Sequence, residues 1–206
     1  MNPATVRPAR APVSPRPGDA LLLVDLQNDF LPGGALGIAG GDATIPVANR
    51  LAAIFHGRGL PVFLSRDWHP PDHCSFRERG GPWPVHCVAG SPGATFTPAL
   101  DIPAGACVVS KATEAGREAY SALDGTGLME QLQRTGINRL WVCGLATDYC
   151  VRATTLDARR AGLDVVVVED GVCAVEASPG DGGRALAEMA GAGASLVVSA
   201  DATAGA

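Results

Sequence analysis

Between Leu21 and Leu26 only Asp25 interrupts an apolar run, and runs of the same kind return along the chain at Pro61–Arg66, Ala106–Ser110, Arg139–Gly144, Asp164–Glu169 and Ser195–Ser199. Short runs rich in Val, Ile and Leu, bounded by Gly, Pro or Asp, read as strands. Between them lie segments whose apolar residues recur at helical spacing: Asp42–Gly57, with Pro46 in its first turn, Gly127–Thr135, Asp148–Ala161 and Asp181–Ala190. A strand that is apolar at nearly every position is buried on both faces, which is the condition of a parallel sheet covered by helices. The pattern therefore predicts an α/β fold of three layers, α/β/α, around a mainly parallel six-stranded sheet. It predicts one domain over residues 20–201, preceded by a Pro-rich tail over 1–19 that is expected to be disordered. No internal repeat is present.

One connection does not fit the rhythm. Asp67–Gly105 is a Pro/Gly-rich excursion of about forty residues, far longer than an ordinary link in a compact domain. It carries three of the four histidines and two of the three tryptophans, which argues for the wall of a site.

Composition narrows the function classes. The 206 residues are 47% apolar and carry a formal net charge of -5, which argues against nucleic acid or an anionic membrane as partner. No apolar run approaches the length that spans a bilayer. The N-terminal segment is rich in Pro and Arg and has no apolar core of the kind an export signal needs, so the cytoplasm is the expected compartment. Its six cysteines are then expected to be reduced. Cys107 and Cys143 lie inside strand-like runs and read as small core residues. Cys74, Cys87 and Cys173 stay undecided, and a homo-oligomer remains open.

In open α/β sheets ligands bind beyond the carboxyl ends of the strands. The first predicted strand ends at Asp25, the second at Asp67, the third at Lys111, and the fourth leads through Gly144-Leu145-Ala146-Thr147-Asp148-Tyr149 into Cys150. Each has an inert reading alone, as a cap, a solvated charge or a core thiol. Together on one edge they suit acyl transfer, with Cys150 as nucleophile and Asp25 as the general base and then acid. Lys111 is placed to hold negative charge between them. A cysteine in the first turn of a helix also meets free N–H groups and the positive end of the dipole, which favours thiolate and offers a cradle for an oxyanion.

The second constellation is Arg66-Asp67-Trp68-His69-Pro70-Pro71-Asp72-His73, followed by Trp83-Pro84-Val85-His86-Cys87. Asp67, His69 and His86 make a carboxylate plus two-histidine set that suits a divalent metal, with His73 as a candidate fourth ligand. Spacing leaves equally open a loop in which the histidines simply hydrogen-bond Asp67. A non-haem iron site would use the same donors but would leave Cys150 and Lys111 without work. A structural zinc held by His73, Cys74, His86 and Cys87 is a further alternative.

These motifs, with Asp25-Leu26-Gln27-Asn28-Asp29-Phe30 and Cys87-Val88-Ala89-Gly90, resemble the nicotinamidase/pyrazinamidase branch of the isochorismatase-like cysteine hydrolases, in order, over about residues 20–200. The resemblance implies a six-stranded α/β/α fold and hydrolysis of nicotinamide to nicotinate and ammonia. It implies that Asp25, Lys111 and Cys150 form the catalytic triad. It assigns Asp67, His69 and His86 to one divalent metal ion, zinc first, with iron or manganese as alternatives. It implies a cis peptide before Ala146, with the N–H groups of Ala146 and Cys150 as the oxyanion hole, and a substrate ring lined by Phe30, Trp83 and Tyr120. The partner is then a small-molecule amide. Ala112–Asp124 departs most from the family's pattern and is charged (Glu114, Arg117, Glu118). Family members acting on ureido or carbamoyl amides are the alternative reading.

Overall fold

The central strands of the sheet bury both of their faces, and the computed structural model, which describes residues 13–202, shows how. Six strands, β1 (Asp19–Val24), β2 (Val62–Asp67), β3 (Cys107–Lys111), β4 (Arg139–Leu145), β5 (Asp164–Cys173) and β6 (Ser195–Val197), pair in the order β3-β2-β1-β4-β5-β6. Every pairing is parallel. Helix α1 (Thr44–Gly57) covers one face; α2 (Leu128–Arg134), α3 (Arg152–Arg160) and α4 (Asp181–Gly191) cover the other.

The alternation hidden in the apolar runs reappears in the packing. Leu21 and Leu23 of β1 join Leu51 and Phe55 of α1 in one core, while Ala20, Leu22 and Val24 join Leu128 and Leu132 of α2 and Met189 of α4 in the other. All six residues of β1 are buried, so neither face of the strand needed a polar alternate.

The chain first builds outward from β1 to β2 and β3, then crosses back to lay β4 against the other side of β1. The strand order therefore reverses between β1 and β4, and the crevice at such a switch point is where ligands bind in open α/β sheets. The residues leaving these two strands are Asp25 and the segment that ends in Cys150.

Several boundaries differ from the sequence expectation. Helix α1 begins at Thr44 because Gly41–Ala43 forms a separate tight turn. Cys150 lies in a wide π turn, Thr147–Val151, that runs on into α3. Strand β5 continues to Cys173, past the charged Glu169 and Asp170, where its register against β4 shifts between Val142 and Gly144. Of the predicted tail, residues 1–12 lie outside the described residues. Val13 packs on the core beside α1, and its N–H donates to the Asp201 carbonyl. No helix among the described residues is long and apolar enough to cross a membrane.

Candidate active site

The strand ends assemble around one ammonium group. After Val24 the chain turns sharply through Asp25, whose φ is 50°, a left-handed conformation that Asp tolerates better than most residues. This turn sends the carboxylate inward, where it is fully buried. Ser65 Oγ donates to Asp25 Oδ1 at 2.7 Å. Asp25 Oδ2 lies 2.9 Å from Lys111 Nζ. The register pairs Asp67 with Lys111 across β2 and β3, and Lys111 Nζ also pairs with Asp67 Oδ1. The same ammonium donates to Cys150 Sγ at 3.3 Å.

Burial would strip Lys111 of its proton, but the carboxylates of Asp25 and Asp67 outweigh it and hold the ammonium well above its ordinary range. For Asp25, burial outweighs Lys111 and raises the carboxyl. For Cys150, burial again comes first; Lys111 opposes it, but Asp25 and Asp67 add to it, and the thiol rises well above its ordinary value. Desolvation and two nearby carboxylates thus outweigh the help from Lys111 and oppose the ionisation that a helix start favours. A neighbouring carboxyl whose proton affinity is also raised is the matching acceptor.

The approach to Cys150 is built by backbone. Gly144 has φ 126°, and a Cβ there would lie 2.1 Å from the Val24 carbonyl oxygen, so only glycine lets β4 pass β1 so closely. The Leu145–Ala146 peptide is cis, as the resemblance implied. The Ala146 carbonyl accepts from the N–H groups of Tyr149 and Val151, both at 3.1 Å, which closes the wide turn around the nucleophile.

Asp67 presents its other oxygen to two histidines. Its Oδ2 stands 3.5 Å from His69 Nε2 and 4.0 Å from His86 Nε2, longer than ordinary hydrogen bonds. His69 Nδ1 meets the Ala112 carbonyl at 3.1 Å and His86 Nδ1 meets the Pro84 carbonyl at 2.8 Å. A ring that donates from Nδ1 to a carbonyl turns its Nε2 lone pair outward, as metal-binding histidines do. His69 Nε2 is buried without any hydrogen-bond partner. One donor atom from each of Asp67, His69 and His86 lies within 4.8 Å of the others, so the trio fits a divalent cation. Asp25, Asp67 and Cys150 are as closely grouped, but there Lys111 Nζ already supplies the cation.

His73 is not a fourth donor. Its Nδ1 pairs with Ser75 Oγ at 2.7 Å and its Nε2 with the Arg117 carbonyl at 3.0 Å. It stacks on His69 at 4.2 Å between ring centroids. Nor do Cys74 and Cys87 join a cluster close enough to hold a metal among the described residues. All six cysteines are unpaired.

Both groups open into one pocket that Phe30, Trp83 and Tyr120 line as expected, beside Ala146 and Cys150. Trp83 packs edge-on against Tyr149 at 5.0 Å, and its Nε1 donates to Tyr120 Oη at 3.0 Å. Phe30 packs against His86 at 5.6 Å. Sequence reasoning missed five wall residues: Leu36, Ile38, Glu118, Tyr149 and Val175. Only Tyr149 carried a signal, since it immediately precedes the nucleophile.

Residues 19–201 match the isochorismatase domain. The chain is 43% identical to the nicotinamidase of Escherichia coli (strain K12), over 90% of this chain and 97% of that protein. Among solved structures it resembles the pyrazinamidase of Pyrococcus horikoshii in complex with zinc, with a TM-score of 0.85, 48% identity, and coverage of 88% of this chain and 99% of that one. It also resembles PnC1 from L. infantum in complex with nicotinate, with a TM-score of 0.82, 38% identity, and coverage of 90% and 94%.

Proposed function

The chain belongs to the isochorismatase family, and from that premise we propose that it is a metal-assisted cysteine amidohydrolase that converts nicotinamide to nicotinate and ammonia. The observation that carries the reading is the junction at Asp67. One of its oxygens meets Lys111, which also touches Asp25 and Cys150; the other faces His69 and His86. A nucleophile and a metal-type donor set thus share one carboxylate inside one aromatic pocket.

The chemistry follows from these positions. Phe30, Trp83 and Tyr120 hold the flat ring and exclude water, so that the carboxamide carbon stands over Cys150 Sγ. A divalent metal, zinc by preference, held by Asp67, His69 and His86 would supply a Lewis-acid anchor for the ring nitrogen. Cys150 gives its proton to Asp25 as the sulfur attacks the carbonyl carbon. The N–H groups of Ala146 and Cys150 take the developing oxyanion. Asp25 passes the proton to the amide nitrogen, the C–N bond breaks, and ammonia leaves an acyl thioester on Cys150. Asp25 then draws a proton from water, which attacks the thioester carbon and returns Cys150 as thiol with nicotinate as product. Lys111 stays protonated throughout and keeps Asp25 and Cys150 in register. Free thiols suit a reducing cytoplasm, where the reaction would serve pyridine-nucleotide salvage.

Ammonia release from nicotinamide by zinc-loaded protein tests the assignment. Cys150→Ala is expected to abolish release while leaving the circular dichroism spectrum unchanged. Absence of turnover by the zinc-loaded wild type on nicotinamide and pyrazinamide defeats the substrate assignment, and a panel of ureido and carbamoyl amides then follows.

A further inference from the structure

Glu118 is a carboxylate that the reaction leaves without a task. It lies in the segment that departs most from the family pattern, is half-buried, and lines the same pocket as Cys150, His86, Trp83 and Tyr120. Its orientation is fixed, because the Ala119 N–H donates to Oε1 at 2.9 Å. Its cationic neighbour Arg117 is turned away to Asp124 and Glu114, and among the described residues Glu118 forms no ion pair. Lys111 pairs with Asp25 and Asp67 rather than with Glu118.

A pocket whose wall carries an unpaired negative charge treats neutral and anionic ligands differently. The substrate of the proposed reaction is a neutral carboxamide, and its product is the matching carboxylate. We propose that Glu118 is a specificity-determining residue that screens pocket ligands by charge, disfavouring amides that carry a carboxylate and loosening the hold on the acid product. The proposal rests on the amidase reading above. A neutral amide passes Glu118 without electrostatic cost. Once the C–N bond has broken, the acid meets a like charge, and its departure is favoured.

The test uses the zinc-loaded full chain in a Cys150→Ala background, where nicotinamide binds without being consumed. Calorimetry gives the ratio of the dissociation constants of nicotinate and nicotinamide with Glu118, with Glu118→Gln and with Glu118→Lys. Glu118→Gln keeps the side-chain oxygen that accepts from Ala119 and removes only the charge. The ratio is expected to fall about five-fold in Glu118→Gln, the size of one partly screened charge, and further in Glu118→Lys. The fall is expected to shrink as salt is raised. A ratio unchanged in both variants, or one that rises, overturns the proposal. Wild-type turnover keeps the two readings apart. If the enzyme hydrolyses a different amide, the nicotinamide assignment falls, and the same ratio is read for that amide and its acid.

Discussion

Gln27→Met should loosen the site without touching any atom that reacts. Gln27 is fully buried just past the end of β1, and its amide replaces the next rung of backbone pairing. Nε2 donates to the Asp67 carbonyl at 2.8 Å and to the Ala94 carbonyl at 2.9 Å, and Oε1 accepts from the Asp67 N–H at 2.7 Å. Methionine fills similar space and makes none of these bonds. Each buried group that loses its partner costs about 1–3 kcal/mol, so the three together should cost roughly 3–9 kcal/mol. Set against a total stability of about 5–15 kcal/mol, that is a large fraction. It corresponds to a melting temperature lower by roughly 6–36 °C for a domain of this size. Because Gln27 grips both backbone groups of Asp67, the variant should also bind zinc about ten-fold or more weakly, the usual effect of losing an outer partner of a metal ligand. Thermal unfolding of the metal-free protein and a zinc competition assay measure the two effects. An unfolding free energy within about 1 kcal/mol of wild type, together with unchanged zinc affinity, would refute the reasoning.

Three further outcomes are expected. His69→Ala should reduce bound zinc from about one ion per chain to near zero, whereas Cys74→Ser should leave it unchanged; plasma emission spectroscopy of dialysed protein decides, and the reverse result would revive a cysteine-held zinc. Burial pushes the Cys143 thiol up to about 12, so above its ordinary value of 9.0 the unfolded chain gives up this proton while the folded chain keeps it. Stability from this group is therefore complete below pH 9.0 and is lost as pH rises toward 12, at up to about 1.4 kcal/mol per unit. Urea unfolding at several alkaline pH values should show a shallower loss in Cys143→Ala, and equal slopes would count against the argument. Asp19 at the start of β1 accepts from Arg139 through two nitrogens (2.9 and 2.6 Å) and from Trp141 Nε1 at 2.9 Å. Asp19→Ala should cost about 3–5 kcal/mol by stranding the guanidinium, yet leave activity per folded molecule unchanged, because it lies at the far end of the sheet.

The sequence revealed the sheet because burial on both faces leaves a plain apolar run, and β1 is buried at every position. It revealed Asp25, Asp67 and Lys111 because charge reappears where each strand leaves the core. The same rule misled at β5. Glu169 and Asp170 look like a strand end, but Asp170 is occupied by the backbone N–H and hydroxyl of Ser199, and the strand runs on to Cys173. The pocket walls were least legible. Leu36, Ile38 and Glu118 come from irregular segments whose periodicity says nothing about the direction of a side chain, and only the folded chain brings them to Cys150. The forces that oppose ionisation of the thiol were hidden for a related reason. A helix start is a local feature, whereas the two carboxylates that oppose ionisation arrive from β1 and β2.

The two motif groups looked independent in the sequence, since Asp25, Lys111 and Cys150 lie far apart and Asp67, His69 and His86 sit mostly together. Sheet register makes them one site. Val24 of β1 lies between Ser65 and Gly144 of its neighbours, and Asp67 lies opposite Lys111. The lysine that orients the thiol must then touch the carboxylate that faces the histidines. Asp67 divides its work, with Oδ1 on Lys111 and Oδ2 toward His69 and His86. The distance between the nucleophile and the donor trio is thus set by one short side chain rather than by two loops. A substrate engaged at both ends must carry its reacting carbon and its anchoring atom a fixed few ångströms apart on a rigid frame. A flat ring with nitrogen and carboxamide in a meta relation meets that demand, whereas a flexible chain amide would lose entropy on being held to the same spacing.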